Sequence, residues 1–230
     1  WQVQPNGVSI QSCMQSALEK VLGFKPEVTG CSRTDAGVHA NMFCLHFDSD
    51  DNISDYKLPL ALNFYLPYDI SVISSREVPD CFHARYSSKG KNYIYKIHNS
   101  AVRDPFNFRY SLSIPKRLDE TVMNAAALKF CGTHDFAAFC SSGSSVSDTV
   151  RTVSECSVSR DGDDITVSIS ANGFLYNMVR IVTGTLIDVG SGKIDPDDIP
   201  KIIASCNREM SGPTVKPNGL FLNKVFYDNI

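Results

Sequence analysis

Apolar residues in this 230-residue chain follow two periodicities, and the switches between them mark out its elements. Ile10, Cys13, Met14, Ala17, Leu18, Val21 and Leu22 fall at the i, i+3, i+4, i+7 spacing of an amphipathic helix. Ser9 stands where an N-cap accepts the first orphan amides, and Gly23 where a left-handed residue ends the last turn. Helices are likewise predicted over 118–130, closed by Gly132, over 176–189 and over 199–206. A short helical or turn segment is predicted at 58–66, bounded by Pro59 and Pro67. Strands are predicted at 24–29, 42–47, 70–78, 92–97 and 220–227. The 42–47 run is mostly apolar, as a strand buried on both faces would be. In 92–97, Tyr93, Tyr95 and Ile97 share one face and Asn92, Ile94 and Lys96 the other. Residues 152–160 and 164–170 read as a hairpin about Asp161-Gly162, with Ile165, Val167 and Ile169 alternating against Thr166, Ser168 and Ser170. Helices and strands mix without strict alternation, which makes the fold class α+β.

Composition narrows the class of protein more than its chemistry. A hydrophobic share of 43% with 20% charged residues suits a globular chain with a real core. No run of about 18 apolar residues exists, so no membrane span is expected. The chain opens at Trp1, as a processed or trimmed segment would, and shows no charged-then-apolar leader. Its eight cysteines lie no closer than nine residues apart, so the paired spacing of a zinc site is missing. They read as reduced, mostly buried side chains, and the cytoplasm is the expected location. A net charge of −3 speaks weakly against a nucleic-acid partner, but its distribution softens the objection. Acids crowd into 48–55, 161–164 and 195–198, while cations gather at Arg85, Lys89, Lys91, Lys96, Arg103, Arg109, Lys116 and Arg117. Phosphate binding needs a local positive surface, not a positive total. The cation- and aromatic-rich stretch 85–110 is the expected hinge between two halves.

The most informative stretch is the loop from Cys31 to Ala40, polar and flanked by predicted strands. Such a loop can hold a carboxylate at the edge of a sheet. On its own Asp35, two residues before Gly37, reads as a turn or cap. Its company changes that reading. Arg33-Thr34-Asp35-Ala36-Gly37-Val38-His39 resembles, at every position, the signature of the pseudouridine synthases that act on the tRNA anticodon stem-loop. Further matches follow in family order: Phe82-His83-Ala84-Arg85, then Lys91-Asn92-Tyr93-Ile94-Tyr95. Asn172-Gly173-Phe174-Leu175-Tyr176-Asn177-Met178-Val179-Arg180 and Gly219-Leu220-Phe221-Leu222 complete the set. Ser32 stands where many relatives have Gly. Relatives also begin with a strand and an Asp-Gly turn ahead of the residue matching Trp1, which this sequence does not include.

The resemblance implies two similar α+β halves, 1–84 and 85–230, whose sheets join into one with the active cleft between them. It implies isomerisation of uridine to pseudouridine at positions 38 to 40 of tRNA, with no cofactor and no metal. The reaction breaks the N-glycosidic bond, turns the uracil and rejoins it through carbon 5. A carboxylate must then meet the positive charge that develops at the anomeric carbon. By resemblance Asp35 takes that role; whether it acts on the sugar, on the base, or as a base at the 2′ carbon stays open. Arg180 is the expected partner that keeps the carboxylate ionised inside a water-excluding cleft. Arg33 is expected on the RNA backbone, helping to hold the target nucleotide out of its stack. Tyr93 is expected to stack on the uracil and help remove the carbon-5 proton, with Leu220 on the other side. The implied partners are tRNA and a second copy of the chain in a homodimer.

Two rivals stand beside this reading. An RNA-binding module would keep the scaffold without turnover, and the joint presence of Asp35, Tyr93 and Arg180 speaks against it. A nucleoside glycosylase would use Asp35 to release the base. His39, His46, His83, His98 and His134 lack metal-ligand spacing and read as structural or RNA-facing. A thiol at Cys31 has no step to perform. Lys89, Lys91, Lys116 and Arg117 are either phosphate ligands or solvated surface.

Overall fold

The computed structural model describes residues 1–50, 53–143 and 146–228; Asp51, within the acidic run at 48–55, lies outside them. In chain order, helix α1 (Ile10–Leu22) is followed by strands β1 (Thr29–Gly30), β2 (His39–Ala40) and β3 (Leu45–His46) and helix α2 (Lys57–Tyr65). Strands β4 (Gly90–His98) and β5 (Leu112–Ser113), helix α3 (Glu120–Leu128) and strands β6 (Gly132–Asp135), β7 (Val150–Asp161) and β8 (Asp164–Ala171) come next. Helices α4 (Met178–Gly190) and α5 (Ile199–Ser205) precede the last strand, β9 (Leu220–Phe226). The class is α+β. Among the described residues no helix is long and apolar enough to cross a membrane. The elements sort into two units: Trp1–Ala36 and Phe43–Ser88 with Tyr227 and Asp228, and Gly37–Met42 with Lys89–Phe226.

In the smaller unit, α1 has the boundaries its periodicity predicts. Ser9 and Ser12 exchange side chain-to-backbone hydrogen bonds as a capping box, and Gly23 ends the helix at φ 80°. Met14, Ala17 and Leu18 are buried with Val28, Leu62 and Leu66. Full burial of Leu18 and Leu62 contributes roughly 2 kcal/mol apiece.

Three predicted strands are not strands as drawn, and each has a visible reason. Residues 24–28 are not in a ladder. Their alternation is real, since Pro26 and Val28 are buried, but the two carbonyls accept the Gln15 and Gln11 side-chain amides of α1. The 42–47 run is cut between Met42 and Phe43, where the chain passes from one unit to the other, and its strand is reduced to Leu45–His46, half-buried. Residues 70–78 bring Ile70 and Val72 to the α1–α2 core, yet the Val72 backbone is bonded in both directions by Asn63. A side-chain amide there takes the place of a neighbouring strand.

His46 on β3 holds the Phe82–Arg85 segment of the same unit. Its Nδ1 accepts the Ala84 N–H at 3.1 Å, which requires a neutral ring. Burial, and then neighbouring His83, push the His46 pKa below its usual value, while Asp48 pulls the other way. The unfolded chain therefore binds more protons than the folded one just below about pH 6.5, so stability falls as pH falls through that window. Between about pH 7.5 and 5.5, wild type is expected to lose on the order of 2 °C more in Tm than His46→Gln. Equal losses would remove His46 from the pH response.

In the larger unit a seven-stranded mixed sheet runs β2-β9-β4-β8-β7-β6, with β5 pairing parallel to β4. The β7–β8 hairpin pairs Asp161 with Asp164, leaving Gly162 and Asp163 as a two-residue turn with Gly162 at φ 58°. Tyr95, Ile97, Ile165, Val167 and Ile169 are wholly buried, as their alternation predicts. The opposite face carries a polar ladder: Asn92 donates to Ser168 and Ser170 and accepts from Asn223, which in turn accepts from Asn41. Helix α4 is buried almost all round, and Gly184 lets its backbone meet the Pro213 carbonyl.

Candidate active site

Asp35 and Arg33 lie in the smaller unit, on the loop that follows β1. That strand pairs antiparallel with β3, and the Cys31 N–H extends the ladder to the Cys44 carbonyl at 2.8 Å. Gly30 is fixed there by crowding: a Cβ would meet the rings of Trp1 and Phe43 at 2.8 Å, and those rings pack with centroids 4.3 Å apart. Beyond the ladder Arg33 and Asp35 are both exposed.

The second half of the Arg33–His39 motif belongs to the larger unit, where its glycine and histidine have structural explanations. Gly37 sits at φ 80°, a conformation that penalises any side chain. A Cβ there would also come 3.1 Å from Pro217. His39 stacks on Phe221 at 4.8 Å and donates from Nε2 to the Arg109 carbonyl at 2.9 Å. Elsewhere, His83 accepts the Arg85 and Tyr86 amides, and His134 donates to the Cys131 carbonyl. His98 bonds Asp164, which raises its pKa.

Tyr93, Arg180 and Leu220 all lie in the larger unit. Strand β4 pairs with β9, placing Tyr93 opposite Leu222 and Tyr95 opposite Leu220, with a bulge between Asn92 and Tyr93. Cross-strand partners project to one face, so Tyr93 and Leu220 are diagonal neighbours there. Both are 7% exposed. The Tyr93 ring meets Phe174 edge-on, centroids 4.9 Å apart at 79°, which fixes its tilt.

Arg180 is half-buried in the first turn of α4, donating from Nε to the Val215 carbonyl and from Nη1 to Asn177 Oδ1, both at 2.7 Å. Asn177 is a non-glycine residue at φ 61°, and its amide also donates to Ser141. The Val215–Lys216 backbone is held from a second direction, since the Tyr95 hydroxyl donates to the Lys216 carbonyl at 2.6 Å. Burial raises the Tyr95 pKa, opposed by the Arg180 charge, so the hydroxyl stays a donor at neutral pH. In the sequence Asn177 stands only within a motif and Tyr95 only on a strand face; the fold makes both of them supports. Asn at the head of an apolar helix is a signal for the first, because Asn tolerates left-handed backbone. Carbonyls such as those of Val215 and Lys216 carry no residue identity and leave no such signal.

Among the described residues, no group of three or more His, Cys, Asp or Glu could hold a metal ion. Residues 126–228 match the family described as tRNA pseudouridine synthase. The chain is 45% identical over 229 residues to tRNA pseudouridine synthase A of Thermoanaerobacter sp. (strain X514), covering 99% of this chain and 93% of that one. It is 47% identical over 227 residues to the protein of the same name from Clostridium botulinum, with 99% and 93% covered. With that of Bacillus licheniformis it shares 45% over 231 residues, with 100% and 94% covered.

Proposed function

The chain belongs to the tRNA pseudouridine synthase family, and we propose that Asp35 is the carboxylate with which it isomerises uridine to pseudouridine in the tRNA anticodon stem-loop. One observation carries the reading: 45–47% identity to synthases over 99% of the chain.

In the reaction the bond from uracil N1 to the anomeric carbon breaks and one from carbon 5 forms. Carbon 5 gives up a proton and N1 gains one, so nothing is oxidised or reduced. Asp35 meets the cationic anomeric carbon, by charge or by a transient covalent bond. Since Asp35 is exposed, the exclusion of water that strengthens its interaction comes with the bound RNA. Tyr93 and Leu220 hold the extruded uracil, Arg180 favours an ionised carboxylate, and Arg33 takes a phosphate. The target positions 38 to 40, a homodimer and a cytoplasmic setting belong to the same reading.

Unmodified tRNA carrying tritium at carbon 5 of uridine tests it. Tritium release with no free uracil is the expected result for wild type. Free uracil would make the protein a glycosylase, and no release with tight tRNA binding would make it a binding module.

A further inference from the structure

Loop 103–110 of the larger unit presents side chains that the folded chain leaves uncovered. Phe106 is 87% exposed and Phe108 57%. Aromatic rings set in water on a rigid support mark an interaction surface. The support here is rigid. Asn218 donates to the Phe108 and Ser111 carbonyls at 3.0 and 2.6 Å, and His39 holds the Arg109 carbonyl. Asp104 accepts the Phe106 N–H at 2.8 Å and the Asn107 amide at 2.6 Å. The ordering that a stacking platform requires is thus complete before any ligand arrives.

Cations stand beside the rings. The Arg109 guanidinium lies 5.5 Å from the Phe108 ring centroid, extending the flat surface with a positive edge. Arg109 and Lys216 line an open groove of about 510 Å³ with Phe108 and Gly37, and Arg103 is exposed at the start of the loop. Exposed rings interleaved with cations are what unpaired bases and their phosphates require.

Resting on the reading of the chain as a tRNA-modifying enzyme, we propose that this loop and Lys216 form a further RNA-binding surface. Phe106 and Phe108 stack on unpaired bases of the tRNA, and Arg103, Arg109 and Lys216 neutralise its phosphates. A second copy of the chain fits less well. A two-fold interface centred on the loop would set its cations against their own copies, whereas RNA supplies the opposite charge.

The test compares the full chain with the double variants Phe106→Ala/Phe108→Ala and Arg109→Gln/Lys216→Gln on tritiated tRNA. All four side chains are exposed, so unchanged thermal unfolding is the control. Both variants are expected to keep kcat while KM for tRNA rises about tenfold or more. In the cation variant, two phosphates go unneutralised, so the slope of log affinity against log salt should shrink by about 1.4–1.8. Unchanged KM and slope, with wild type active, would overturn this proposal alone. A dimer lost in light scattering, with KM unchanged, would assign the loop to a second copy and overturn it as well. Wild type that releases no tritium would take down the underlying reading and this proposal with it.

Discussion

Asp35→Asn is expected to fold and bind tRNA as wild type does, yet to release no tritium from carbon 5. The side chain is exposed and the substitution nearly isosteric, so the stability change should stay within about 0.5 kcal/mol. An amide neither carries the charge that an anomeric cation requires nor bonds to it. The loss in kcat should therefore be on the order of 10³-fold or more, with KM little changed. Asp35→Glu restores the charge one methylene out of place and should recover only a small part. Single-turnover tritium release beside a tRNA-binding titration measures both sides. An Asp35→Asn protein within tenfold of wild-type kcat would move the chemistry to another residue.

Gly184→Ala is expected to be the most damaging small substitution outside the site. A Cβ at this helical position would lie 1.8 Å from the Pro213 carbonyl oxygen and 2.9 Å from its carbon. The obstructing atoms are backbone, so no rotamer change relieves the overlap. The segment that must move continues to Val215, whose carbonyl holds Arg180. Overpacking of this kind costs about 3 kcal/mol or more. That corresponds to a fall in Tm of roughly 6–12 °C for a unit of this size. Gly7→Ala, where nothing lies within 4 Å of the added carbon, is the matched control and should be nearly neutral. A Gly184→Ala protein melting within 2 °C of wild type would mean that helix and segment separate easily.

Where periodicity and punctuation agree, as in α1 with Ser9 and Gly23 or in the Gly162 hairpin, the sequence alone locates the element. Those features depend on neighbours a few residues away. The strands drawn at 24–29 and 70–78 failed for a long-range reason. Alternation records which side chains reach a core, but not whether a strand or a glutamine or asparagine amide meets the backbone. The candidate site divides along the same line. Asp35, Tyr93, Arg180 and Leu220 stand out only as matches to a family pattern. No periodicity distinguishes Tyr93 from wholly buried Tyr95 two residues on. The physical reasons for Gly37 and His39 lie in the fold, a left-handed backbone at one and a ring stacked on Phe221 at the other.

The order of strands in the larger sheet also bears on how the protein is made. Strand β9 follows every other described element in the chain, yet it lies between β2 and β4, in register with Tyr93 and Tyr95. While a ribosome is still short of Leu220, β4 has an open edge along Gly90–Tyr95 and β2 has no partner. An open edge of that kind recruits other strands. Synthesis that stops early therefore yields a sticky fragment without Leu220, not an enzyme of reduced activity. Completion of the sheet and the pairing of Leu220 and Leu222 against Tyr95 and Tyr93 are one event, set by the last of the described strands to leave the ribosome.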